Sequence, residues 1–141
     1  MPSYNTQFPP PALFSFGPGN FALVFNSETV LAAEYSQQVN LPAGPTAGQR
    51  GIRVQIDHSA APGNCEYYIL EADNDAAGQL DYTEAPNGGD LTQANLVAGP
   101  NGAGTRLSTD LIPIAGQFVL IYVKTAPANA VKVTARISRA A

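Results

Sequence analysis

Apolar residues in this chain are spaced for strands. Gly51–His58 alternates, with Ile52, Val54 and Ile56 on one side and Arg53, Gln55 and Asp57 on the other. Val131–Ser138 repeats the pattern, setting Val131, Val133, Ala135 and Ile137 against Lys132, Thr134 and Arg136. A period of two buries one face of a strand and leaves the other in water. Ala and Leu are present but never recur at the spacing an amphipathic helix needs.

Two further runs are apolar throughout. Tyr67, Tyr68, Ile69 and Leu70 lie within Cys65–Ala72, and Gln117–Thr125 reads QFVLIYVKT, the most β-prone segment of the chain. Continuous runs of this length suit inner strands. Additional strands are expected over Phe21–Asn26, Thr29–Ala33, Tyr35–Leu41, Leu80–Thr83, Leu91–Val97 and Arg106–Ile112. Turn-forming sequence separates them: Pro42-Ala43-Gly44-Pro45, Ala61-Pro62-Gly63-Asn64, Asn87-Gly88-Gly89 and the Gly99–Gly104 loop. Many short strands punctuated by Gly and Pro predict an all-β domain, a jelly-roll or β-sandwich, over residues 21–141.

Residues 1–20 read differently. Pro2, Pro9, Pro10, Pro11 and Pro18 alternate with Phe8, Phe14 and Phe16, and Phe21 follows. Proline fixes φ and disfavours helix before it, so this stretch is expected to be an extended N-terminal arm. Its phenylalanines need cover, from the arm's own domain or from a neighbour. Phe8, Phe14, Phe16 and Phe21 are therefore the candidate partner-binding residues.

The charge pattern limits the partners. Charged residues make up 13% of the chain and the net charge is −4. No run of Lys or Arg occurs, so direct binding to nucleic acid or to an anionic membrane surface is not expected. A surface poor in charge is cheap to desolvate and suits a protein covered by neighbours, and it suits equally an ordinary β-domain with a neutral surface. The first residues lack the charge and the apolar core of a signal peptide, and no run is long enough to span a bilayer. Synthesis and folding in a reducing cytoplasm are expected, and the one cysteine, Cys65, permits no internal disulfide.

Residues able to do chemistry are few. His58 is the only histidine; its neighbours Asp57 and Ser59 point to the other face of a strand, so the three cannot form a relay. It is expected to be exposed at a strand end. Cys65 reads as an inert core thiol. The Gly99–Arg106 loop carries outer glycines and a Thr, but no lysine and no following helix, so it reads as a turn and not a phosphate cradle. Asp73, Asp75, Gly78, Asp81 and Glu84 match positions of a calcium loop, but Ala77 supplies no oxygen and the flanks read as strands. No catalytic residue, metal site or cofactor is expected.

The stretches Ile52–Ile56, Tyr68–Ala77, Arg106-Leu107, Ile112-Pro113 and Phe118–Val123 together resemble the capsid cement (decoration) proteins of tailed phages of the Bordetella phage type. The resemblance is one of pattern and spans most of the chain after residue 51. The chain departs from it in its Pro/Phe-rich arm and in the Gly-rich loop near residue 102. The resemblance implies a jelly roll on the capsid exterior of the virion, binding the major capsid protein and copies of itself as a dimer or trimer. The alternative is another virion β-module, a tail or fibre component that binds a host surface or carbohydrate, with Tyr82 beside Asp81 and Glu84 as its local candidate. A small β-barrel enzyme is disfavoured by the single histidine.

Overall fold

The computed structural model describes residues 3–5, 13–14, 21–40, 51–63, 65–72, 81–84, 90–92, 96–98, 105–109, 112–114, 116–128 and 130–140. Its strands in chain order are β1 (Ser3–Asn5), β2 (Leu13–Phe14), β3 (Phe21–Glu28), β4 (Glu34–Tyr35), β5 (Gln38–Asn40), β6 (Gly51–His58) and β7 (Glu66–Ala72), followed by β8 (Asp81–Glu84), β9 (Asp90–Thr92), β10 (Leu96–Ala98), β11 (Thr105–Ser108), β12 (Ile112–Pro113), β13 (Phe118–Thr125) and β14 (Val133–Ala140). No helix occurs among the described residues.

The strands form two sheets. The larger has the order β1-β8-β7-β13-β5-β2, with β4 also on β13 and β9 also on β7. The smaller has the order β10-β11-β6-β14-β3, with β12 also on β6. Every pairing is antiparallel except β2 with β5. Stripped of the short additions, the sheets are β8-β7-β13-β5 and β11-β6-β14-β3. The chain enters the smaller sheet at β3 and crosses to β5. It returns at β6, crosses to β7 and β8, returns at β11, crosses to β13 and closes at β14. That is the strand order of a jelly roll, which makes this a β-sandwich of the expected kind.

The main core lies between the sheets. Ile52, Val54 and Ile56 of β6 and Val133, Ala135 and Ile137 of β14 meet Tyr67 and Ile69 of β7 and Val119, Ile121 and Val123 of β13. The predicted inward sets of both alternating strands are buried. The larger sheet is also buried on its other face. Leu120 pairs with Leu70 and Phe118 with Ala72, and these four form a second apolar cluster with Tyr82. This explains the two continuous apolar runs: β7 and β13 face core on both sides.

Several expected strands differ in extent. Thr29–Ala33 contains no strand: Thr29–Leu31 are irregular, and Ala32 and Ala33 form a turn. Positive φ at Ser27 (50°) and Ala33 (65°) breaks the extended chain, and Glu34 accepts a hydrogen bond from the Leu31 amide at 3.3 Å. The predicted Leu91–Val97 strand is divided: β9 pairs in the larger sheet and β10 in the smaller. Tyr35–Leu41 is interrupted between β4 and β5. There the buried Ser36 bonds Ile121 twice, its amide donating to the carbonyl and its Oγ accepting from the amide, each at 2.8 Å. Arg106–Ile112 is divided into β11 and β12, both lying along β6.

Candidate functional site

The predicted phenylalanine set does not converge as far as it is described. The backbone of Phe14 pairs with Val39 at the edge of the larger sheet. Phe21 opens β3 in the smaller sheet, opposite Ser138. Its ring is 36% exposed, and the Arg136 guanidinium carbon stands 6.0 Å from its centroid. Phe8 and Phe16 lie outside the described residues. The arm's described pieces, β1 and β2, sit at opposite edges of the larger sheet, β1 on β8 and β2 on β5.

On the outer face of the smaller sheet, register brings polar residues of three strands into rows. Arg106, Asp57 and Thr134 form one row, Ser108, Gln55 and Arg136 the next, and Arg53 with Ser138 the third. Asp57 organises this face. Arg106 Nε donates to its Oδ1 at 2.6 Å, Arg136 donates to Oδ2 at 3.1 Å, and Gln55 Nε2 donates to Oδ2 at 3.2 Å. Partial burial raises the Asp57 carboxyl. The hydrogen bonds from Arg106 and Gln55, the Arg106 charge and the Arg136 hydrogen bond outweigh that and hold it below the usual aspartate value.

The outer face of the larger sheet ends in tyrosines. Tyr122 pairs with Tyr35 on one side and Tyr68 on the other, so the three rings form a row beside the second apolar cluster. Tyr68 and Tyr122 stack at 6.4 Å with an interplanar angle of 10°, and Tyr35 tilts against Tyr122 at 5.0 Å. Burial and then the Tyr122 hydroxyl raise the Tyr35 phenol. Lys124 donates to the Tyr68 hydroxyl at 2.8 Å and pairs with Glu66 at 3.4 Å, and these contacts push its ammonium up.

His58 corrects the expectation of an exposed histidine. It is 4% exposed because it continues the inward parity of Ile52, Val54 and Ile56. Its Nε2 lies 2.7 Å from the Tyr67 hydroxyl, which joins β6 of one sheet to β7 of the other across the core. Asp57, by contrast, faces outward, so the Asp57-His58-Ser59 sequence makes no relay. Burial chiefly, with the nearby Cys65, raises the Tyr67 phenol. Cys65 is itself buried. Burial raises its thiol, a hydrogen bond with Tyr67 pulls the other way, and the Glu66 charge raises it further.

Tyr82 also departs from its expected role. Its ring is fully buried and its hydroxyl donates to Gln38 Oε1, so it presents no face to a sugar. Of the calcium-like loop, residues 73–80 lie outside the described residues, while Asp81 and Glu84 belong to strand β8, which is paired on both sides. The Gly99–Gly104 loop also lies outside them, and a strand follows it, as expected. Among the described residues no group of three or more His, Cys, Asp or Glu side chains is placed to hold a metal ion. No helix among them is long and apolar enough to cross a membrane.

The arginine rows are what sequence reasoning missed. Arg53, Asp57 and Arg136 were legible as outward residues of alternating strands. Their grouping with Arg106 needed the neighbour order β11-β6-β14, which no local pattern encodes. Compared with known proteins, the chain matches no family model, no curated protein and no solved structure.

Proposed function

We propose that this chain is a structural binding protein of a tailed-phage head, a cement protein that sits on the outside of the assembled shell and stabilises contacts between major capsid protein subunits. The reading draws on the resemblance in pattern, the jelly-roll order and the charge-poor composition. The observation that carries it is edge pairing by the leader. Its described strands join both edges of the larger sheet by main-chain hydrogen bonds. Strand addition of this kind joins main chains by hydrogen bonds and is anchored by the side chains that alternate along the added strand, and it serves between chains as well as within one.

The mechanism is linkage. A protein that binds the assembled shell and not loose subunits shifts assembly by mass action, by about 2.7 kcal/mol per site at a hundredfold excess over Kd. Repeated over a shell, that gain resists the pressure of packaged DNA. Self-association at symmetric capsid positions would give a dimer or trimer.

The test mixes the chain with purified empty tailed-phage heads assembled from a major capsid protein of the same genome. Co-sedimentation and a rise in the melting temperature of the heads are expected. A variant with Phe8, Phe14 and Phe16 all changed to Ala is expected to lose both. A chain that stays in the supernatant at micromolar excess and leaves the heads' melting unchanged refutes the reading. The carbohydrate-binding alternative had Tyr82 as its local candidate, and that ring is buried.

A further inference from the structure

Three of the four arginines in the smaller sheet's strands share its outer face and stand one to a row in three successive rows, Arg106 on β11, Arg136 on β14 and Arg53 on β6, while Arg139 pairs with Ile52 on the other parity. All three lie on β6 or on a strand directly beside it. Rows on one face of a sheet are two residues apart along the strand, roughly 7 Å. In an extended peptide, side chains at positions i, i+2 and i+4 repeat with the same spacing along the strand direction; across it, Arg106 and Arg136 start on the two strands that flank β6, roughly 10 Å apart, and their side chains converge on Asp57. Guanidinium groups match carboxylates in a planar fork, bidentate where geometry allows.

Charge and preorganisation fit the same ligand. Asp57 is the only carboxylate in these rows, so the patch carries +2 while the chain as a whole carries −4, leaving −6 on the remainder. Asp57 holds Arg106 through Nε and Arg136 through one terminal nitrogen, which fixes both heads and leaves their other donors to a second acceptor. Both side chains remain about a third exposed, at 34% and 36%. Arg53 is exposed. Phe21 borders the patch with its ring beside Arg136, offering apolar contact next to charge, the pairing of residue types that anchors protein interfaces.

We infer that the outer face of the smaller sheet binds an extended segment of a partner protein carrying carboxylates at alternate residues. The inference deepens the head-binding reading by naming the chemistry of the partner, but its surface argument stands without a capsid. A nucleic acid is the less favoured anion: the arginines are matched to alternating carboxylates, and the rest of the chain repels polyphosphate.

The test measures fluorescence anisotropy of a labelled nonapeptide with Glu at alternate positions and Ser, Thr or Val between, at low and at physiological salt. Binding that weakens at least tenfold between the two salts is expected. Replacing every Glu by Gln should abolish it. Arg53→Glu, at an exposed side chain outside the Asp57 hydrogen bonds, should weaken it at least tenfold with unchanged thermal melting. Arg106→Lys should weaken it less. Equal binding of the Gln peptide, no response to Arg53→Glu, no binding at millimolar peptide, or tighter binding of oligothymidylate than of the Glu peptide overturns the inference. Because the probe is a peptide and the head assay uses shells, failure here leaves the head-binding result independent.

Discussion

Leu120→Ala tests whether the larger sheet truly has core on both faces. Leu120 and Ile121 are adjacent in β13, point to opposite faces, and are both fully buried. In an ordinary half-exposed strand one of them would face water and its truncation would cost under about 1 kcal/mol. Here Leu120 meets Leu70 directly across the ladder, beside Phe118, Ala72 and Tyr82. Removing a buried leucine to its Cβ loses transfer energy and leaves a cavity, together about 2–5 kcal/mol. The unfolding entropy of a chain of 141 residues is roughly 0.3 kcal/mol/K at about 2.1 cal/mol/K per residue. A loss of about 3 kcal/mol therefore lowers Tm by about 10 °C. Scanning calorimetry should find Leu120→Ala and Ile121→Ala destabilised to a similar degree, with Arg53→Ala, on the exposed face of the smaller sheet, within about 0.5 kcal/mol of wild type. Leu70→Ala combined with Leu120→Ala should cost less than the sum of the two, because they empty one shared space. A shift of less than about 3 °C for Leu120→Ala, beside a large shift for Ile121→Ala, would show that the second apolar cluster is not a core.

Three other outcomes follow from named contacts. Gly116→Ala would place its Cβ 2.9 Å from the Ala72 carbonyl oxygen, where backbone must move, so about 1–3 kcal/mol of stability should be lost by denaturant titration. Tyr67→Phe removes the hydroxyl that meets His58 Nε2 across the core at 2.7 Å; with that ring nitrogen still buried, a loss of about 1–3 kcal/mol is expected in urea unfolding. The Asp57 carboxyl is held below its usual value in the folded protein, so its ion pairs stabilise fully above the unfolded-state value of about 3.9 and the stabilisation is lost as pH falls through the lower folded value. Asp57→Asn should therefore be less stable than wild type at neutral pH, with the difference closing below about pH 4; a constant difference down to pH 2 would exclude the ion pairs as its cause.

How much of this was written in the sequence depends on the range of the contacts involved. Gly51–His58 was readable to the residue because its alternation is local and uninterrupted. The apolar runs of β7 and β13 announced inner strands, and two-sided burial is the reason for them. Thr29–Ala33 misled because Thr, Val and Leu favour strands, whereas positive φ at Ser27 and Ala33 is a tertiary imposition. Leu91–Val97 misled because periodicity cannot say where a chain leaves one sheet for the other. His58 was misjudged by its polarity: strand parity placed it inside, and Tyr67, nine residues on but in the opposite sheet, satisfied one of its nitrogens. The Arg106–Asp57–Arg136 grouping was invisible for the same reason, since its members come from strands β11, β6 and β14.

The division of labour between the sheets limits where a partner can act. The larger sheet spends both faces of its central strands on the chain's own cores, and its described edges carry β1 and β2. A partner that displaced Leu70 or Leu120 from their cover would have to match the burial it destroyed. The smaller sheet spends only one face. Its other face keeps Arg53 exposed and Arg106 and Arg136 part exposed, fixed by a single aspartate instead of neutralised by several. Clamping arginines with one carboxylate leaves a patch that is rigid and still positive, which favours an acidic ligand without the usual entropic cost of ordering long side chains. Full pairing of these arginines with the chain's other acids would have served stability equally well and left nothing to bind. The unpaired charge is therefore the feature of this face that a stability argument alone does not explain.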